Sequence, residues 1–122
     1  MTSNSGCSPK RGEIWLVDLD PTLGEEMRKT RPVVVISSDD LNTGLELKVT
    51  VPVTGWKEVF ENHGWFAKLA PSKRNGLAKT SAVNGLQIRC LSMKRFKSRL
   101  GRTSVEEFAD IMASVAIVLE IS

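Results

Sequence analysis

The end of this chain is helical in period while the rest is written in short strand-length runs, and that contrast limits the fold more than any other feature. Val105, Phe108, Ile111, Met112, Val115, Val118 and Leu119 recur at the spacing of one helix face. Thr103 and Ser104 each stand three residues before a glutamate, Glu106 and Glu107. In that pattern a hydroxyl and a carboxylate satisfy backbone donors that a first helical turn leaves open, so a helix is expected to start there. Such a stripe serves core or subunit contact far more often than ligand binding.

The preceding residues read as strands. Residues 13–19 set Ile14, Leu16 and Asp18 against Trp15, Val17 and Leu19, a largely buried strand stopped by Asp20-Pro21, and residues 21–30 form a polar loop. Residues 32–36 are β-branched, with Pro32 expected at the first strand position, where no ladder donor is lost. Residues 48–54 form another such run, in which Pro52 predicts an edge strand or a bulge. Residues 65–69 and 85–93 are further strands, with a short one at 80–83 and a Gly- and basic-rich segment at 71–76. Short strands followed by one helix predict a mostly β domain, a small antiparallel barrel with a packed C-terminal helix. Residues 1–9 are too polar to bury apolar surface and are expected as a disordered N-terminal tail, leaving residues 10–122 as one domain. A chain of 122 residues buries roughly two-thirds of its unfolded surface and needs no metal or disulfide staple.

Cys7 and Cys90 are the only cysteines and no apolar signal segment opens the chain, so reduced thiols in a cytoplasmic protein are expected. No stretch approaches the roughly 20 apolar residues of a membrane-spanning helix. The net charge of +3 conceals an asymmetry: residues 62–105 contain ten Lys or Arg and no Asp or Glu. On one face, those side chains would attract RNA or DNA by displacing counterions, although a basic run also suits a merely solvated surface.

If the polyanion is RNA and it is cut, the 2′-OH must be assisted, a charged phosphorane stabilised and the departing 5′-oxygen protonated. A two-histidine design is excluded, because His63 is the only histidine. A two-metal design requires clustered carboxylates about 4 Å apart around the ions. Asp18 and Asp20 share a strand face but make a thin site, while the adjacent Asp39 and Asp40 point apart in extended backbone. Cys7, Cys90 and His63 show no zinc spacing. No metal or other cofactor is therefore expected. There remains an arginine that neutralises the phosphorane, with a hydroxyl or carboxylate for proton transfer. Arg31 suits the first task, since Pro32 restricts it to extended conformations and a guanidinium offers phosphate two parallel donors. Thr54 ends its run just before Gly55, where its hydroxyl could reach the same phosphate.

From Lys10 to about Leu119 these pieces, taken in order, resemble the MazF/PemK toxin family. Lys10-Arg11-Gly12-Glu13-Ile14-Trp15 and Asp18-Leu19-Asp20-Pro21 are similar to the family's opening strand. Gly24-Glu25-Glu26 leads into Thr30-Arg31-Pro32-Val33-Val34-Val35-Ile36. Val51-Pro52-Val53-Thr54 matches a third signature, and Ser81 with Gln87-Ile88-Arg89 a fourth. The resemblance implies an SH3-like small β-barrel of the PemK/CcdB type and a homodimer. It also implies metal-independent, sequence-specific cleavage of single-stranded RNA to 2′,3′-cyclic phosphate and 5′-OH ends. Arg31 and Thr54 carry over as the catalytic pair, and Glu26 matches an acidic position that could accept the 2′-OH proton. Arg28, Lys29, Trp56, Lys57, Lys79 and Arg89 are the expected RNA-binding residues, with Trp56, Trp65 and Phe66 able to stack bases. Leu86 departs from the pattern, because many members carry an acid there, before the Gln-Ile-Arg stretch.

A toxin of this kind implies a MazE-like antitoxin whose acidic, partly disordered tail covers the basic groove. Two rivals remain at this stage: a non-catalytic CcdB-like inhibitor that binds DNA gyrase, and a nucleic-acid-binding module without chemistry.

Overall fold

Val33, Val34 and Val35 are all buried, so the strand that carries them must be covered on both faces. The computed structural model, which describes residues 8–19 and 30–121, shows how. Seven strands are present among those residues: β1 (Glu13–Asp18), β2 (Thr30–Val35), β3 (Leu47–Gly55), β4 (Phe66–Leu69), β5 (Ser81–Asn84), β6 (Arg89–Ser92) and β7 (Phe96–Arg102). They pair antiparallel in the order β4-β5-β3-β2-β1-β7, with β6 also on β3. Two helices accompany them, α1 (Asp39–Gly44) and α2 (Val105–Leu119). The fold is the expected mostly β, SH3-like barrel with a C-terminal helix.

On one face of β2, Val34 joins Ile14, Val51, Val83 and, from α2, Ile111 and Val115 in the main core. On the other, Val33 and Val35 meet Trp15, Val17 and Leu91, with Phe96 of β7 packed against them. The Trp15 and Phe96 rings meet edge to face at 5.8 Å. The curled sheet thus covers its own second face with side chains from its outer strands.

Pro52 does not mark an edge. Strand β3 lies inside the sheet, and its Val49 carbonyl accepts from Ile36 N at 2.9 Å, which turns the backbone groups of odd-numbered residues toward β2. Even-numbered Pro52 therefore faces the opposite side. There β6 pairs with residues up to Thr50 and β5 pairs from Val53 onward. The ring nitrogen falls in the gap between two partners, and no ladder donor is lost. Pro32 is the third residue of β2 rather than its first, at the end of the β2/β3 ladder.

The capping box forms on Ser104: its Oγ accepts from Glu107 N at 3.0 Å, and Ser104 N donates to Glu107 Oε1 at 2.8 Å. Thr103 is unavailable for the cap because its hydroxyl donates to Gly12 O. Only the middle of the apolar stripe is core. Val105 is 84% exposed and Leu119 52% exposed.

The run at 85–93 is not one strand, since a turn at Gly85-Leu86 separates β5 from β6. Strand β7, alternately basic and small, has no apolar period and escapes sequence reading, as does α1. Yet α1 opens on a legible cap, with Ser38 Oγ accepting from Leu41 N. The buried Lys48 ammonium closes it, donating to Asn42 O at 2.5 Å and Leu45 O at 2.6 Å. Of the expected N-terminal tail, residues 1–7 lie outside the described residues, and Pro9 is buried. Among the described residues no helix is long and apolar enough to cross a membrane.

Candidate active site

Because β2 and β3 are antiparallel, the start of one meets the end of the other. Val33 pairs with Pro52 and Val34 with Val51, so continuing the register by two residues sets Arg31 opposite Thr54. Both side chains are exposed and both line an open cavity of about 430 Å³. Among the described residues neither side chain has a hydrogen-bond or ion-pair partner. Their donors are free for a ligand.

Lys79 completes this wall. A methyl built on Gly55 would lie 3.2 Å from Lys79 Nζ, so the ammonium rests over the bare backbone next to Thr54. Its own backbone is tied down, since Ser81 Oγ donates to Lys79 O at 2.9 Å and Trp56 N donates to Thr80 O at 3.1 Å. Two cations and a hydroxyl face the cavity, and among the described residues no acid lines it. That is an anion site in charge and in donor geometry.

Aromatic side chains flank its rim. Trp56 follows Gly55 directly, packs edge to face on Phe60 at 5.8 Å, and carries Lys68 Nζ 4.9 Å above its ring. Sequence reading passed over Lys68. The sheet register places it in one row with Ala82 and Thr54, a signal that exists only once the strands are paired. Phe66 is stacked on Phe60 at 3.9 Å and Trp65 on His63 at 4.5 Å, so these rings are held in internal stacks. Lys57 is exposed beside Trp56.

The remaining expected residues divide. Arg89 is exposed on β6, paired with Thr50 four positions back along β3 from Thr54, and it does not line the cavity. Leu86 is 54% exposed in the turn between β5 and β6. Glu26, Arg28 and Lys29 lie outside the described residues, as does Asp20. Among the described residues no three His, Cys, Asp or Glu side chains gather as a metal site would require.

A curled antiparallel barrel with one C-terminal helix and an anion cavity where β2 meets β3 defines a class. The chain matches the model of the PemK-like, MazF-like toxins of type II toxin-antitoxin systems over residues 10–119, and it belongs to that family. Among named relatives, the endoribonuclease PemK of Escherichia coli is 34% identical over 111 residues, covering 90% of this chain and 81% of PemK. The endoribonuclease MazF9 of Mycobacterium tuberculosis is 33% identical over 118 residues, covering 92% and 97%. Similar solved folds include a mycobacterial endoribonuclease in complex with its cognate antitoxin, with a TM-score of 0.77 at 21% identity over 93% of this chain and 97% of that one. A MazE-MazF structure from Deinococcus radiodurans has a TM-score of 0.75 at 20% identity, over 94% and 99%.

Proposed function

We propose that this toxin acts as an endoribonuclease on single-stranded RNA, with Arg31 and Thr54 as its catalytic pair and no metal in the reaction. The observation that carries the proposal is the cavity itself, in which Arg31, Thr54 and Lys79 converge from two strands and a loop without an acid among the described lining residues. Two related chains that cover most of its length are endoribonucleases by name, which does not favour the gyrase-inhibitor alternative.

The chemistry follows from the charges. The ribose 2′-oxygen attacks the adjacent phosphorus, the bond from phosphorus to the 5′-oxygen breaks, and a 2′,3′-cyclic phosphate and a 5′-OH remain. Negative charge builds on the non-bridging oxygens as the phosphorane forms. The Arg31 guanidinium, always protonated and able to present two donors at once, neutralises it where water is partly excluded. The Thr54 hydroxyl donates to the same phosphate, and Lys79 adds a second positive charge. Glu26 takes the proton released by the 2′-OH, and the departing 5′-oxygen is protonated from the cationic side of the cavity, with Arg31 as the nearest donor. Around this centre, Arg28, Lys29, Lys57 and Arg89 hold the strand's phosphates and Trp56 stacks a base.

The active form is a homodimer in the cytoplasm. It is silenced by an antitoxin whose acidic tail occupies the basic surface, as the structure of a mycobacterial relative with its cognate antitoxin suggests for that pair.

The test is cleavage of a long unstructured RNA in excess EDTA, with Arg31→Ala and Thr54→Ala beside the wild type and the product ends identified. Cyclic-phosphate ends that are lost in both variants are expected. Intact RNA after incubation with folded wild-type protein would overturn the proposal.

A further inference from the structure

A second basic cavity, of about 450 Å³, lies where α2 begins, and Arg11, Arg74 and Arg102 line it together. Gathering three guanidinium groups in one hollow costs mutual repulsion unless an anion joins them. Arg11 is used by the fold: its guanidinium donates to Ile36 O and lies 4.7 Å from the centre of the Phe108 ring. Arg74 and Arg102 are exposed, and among the described residues neither side chain has an ion pair. Glu106 also lines the cavity but pairs with none of the three.

This cavity is joined to the first by two segments that run side by side. Arg102 N donates to Arg74 O at 2.9 Å. Gly76 lies so close to the next strand that a methyl on it would stand 2.1 Å from Leu100 O, and one on Gly101 would stand 2.2 Å from Arg74 O. Gly76 and Leu100 line the first cavity, while Arg74 and Arg102 line the second. Two residues of extended strand span only about 7 Å. A nucleic-acid strand leaving the first cavity along this seam meets the second within its neighbouring phosphates.

We infer that the Arg11, Arg74 and Arg102 cavity is a backbone-docking site for the same RNA strand, gripping a phosphate next to those held around Arg31 and Thr54. The inference rests on the proposed RNA function and extends its binding surface to the far end of the β7 seam. Guanidinium forks match phosphate oxygens without reading bases, so this site sets strand direction and affinity and leaves the cleavage motif to other residues.

The test is binding of a fluorescent single-stranded RNA, 2′-O-methylated throughout so that it is not cut, as a function of salt. Arg74→Gln and Arg102→Gln are compared with wild type, and Lys94→Gln/Lys97→Gln serves as a control that removes equal charge from the other end of β7. Each arginine variant is expected to bind on the order of tenfold more weakly. The double arginine variant should lower the magnitude of the slope of log affinity against log salt by about 1.4, with the control near wild type. Unchanged affinity and slope in the arginine variants overturn the inference, even if an acidic peptide binds them less well. An equal loss in the lysine control also overturns it, because net charge would then be the cause. Cleavage in EDTA is measured in parallel on unmodified RNA. Wild-type protein that binds but does not cut counts against the catalytic function alone and leaves the docking site supported.

Discussion

Arg31 of β2 stands opposite Thr54 of β3, twenty-three residues away in sequence and brought together by strand register alone. The same register puts Pro52 in the gap between β5 and β6, where a missing donor is harmless. The catalytic geometry therefore depends on β3 holding three partners at once. Any slip by one residue would turn Thr54 to the opposite face.

Gly55 is predicted to be needed for activity more than for stability. A methyl there would meet only the Lys79 Nζ and Cε atoms, at 3.2 and 3.3 Å, the far end of a flexible chain that can move away. Gly55→Ala should keep its unfolding midpoint, while kcat falls up to about 100-fold because the ammonium is displaced. Single-turnover cleavage beside a urea titration separates the two effects.

Gly101 should behave in the opposite way. A methyl at this position runs into Arg74 O, Asn75 C and Asn75 O, all backbone and all within 2.8 Å. Gly101→Ala is expected to destabilise the fold by about 3 kcal/mol, read from the denaturation midpoint, because neither segment can yield without breaking the seam.

Ser104→Ala removes the oxygen that accepts from Glu107 N and should cost about 1 kcal/mol. Ser104→Asp should restore most of it, whereas loss of stability in both variants to the same degree would refute the capping role. Ile111→Ala, fully buried on the same helix, should cost about 2 to 5 kcal/mol.

Asp39 supplies the pH dependence. Its carboxylate accepts from Arg11 N at 2.8 Å and from Asn42 Nδ2 at 3.0 Å, and these bonds hold its pKa below the ordinary 3.8. A carboxylate with a lowered folded pKa stabilises the fold above its unfolded pKa, and that contribution disappears as pH falls through the folded value. The stability difference between wild type and Asp39→Asn should thus be constant from pH 6 down to about pH 4 and shrink below it. The group is exposed, so the difference is small, and salt should reduce it further.

Much of this molecule was legible before it folded. Trp15, Val17 and the three valines of β2 marked buried strands, Ser104 with Glu107 marked the helix start, and Arg31-Pro32 with Thr54-Gly55 marked the site. Each is a local signal, carried by side chains a few residues apart. Strand β7 was illegible because Lys97, Ser98 and Arg99 are exposed on an outer strand and follow no apolar period. Lys68 was missed because its relation to Thr54 runs through Ala82, across two strand pairings.

The sequence by itself determined the element types, the family and the identity of the two residues that meet at the cavity, because period, caps and proline act within short stretches of chain. Tertiary structure alone decided that Lys79 lies over Gly55, that Arg89 stands apart, and that Arg74 and Arg102 share a hollow with Arg11 beside the first cavity. Those relations are set by strand order and by two glycines that let backbones touch. Neither leaves a trace in the spacing of residues along the chain.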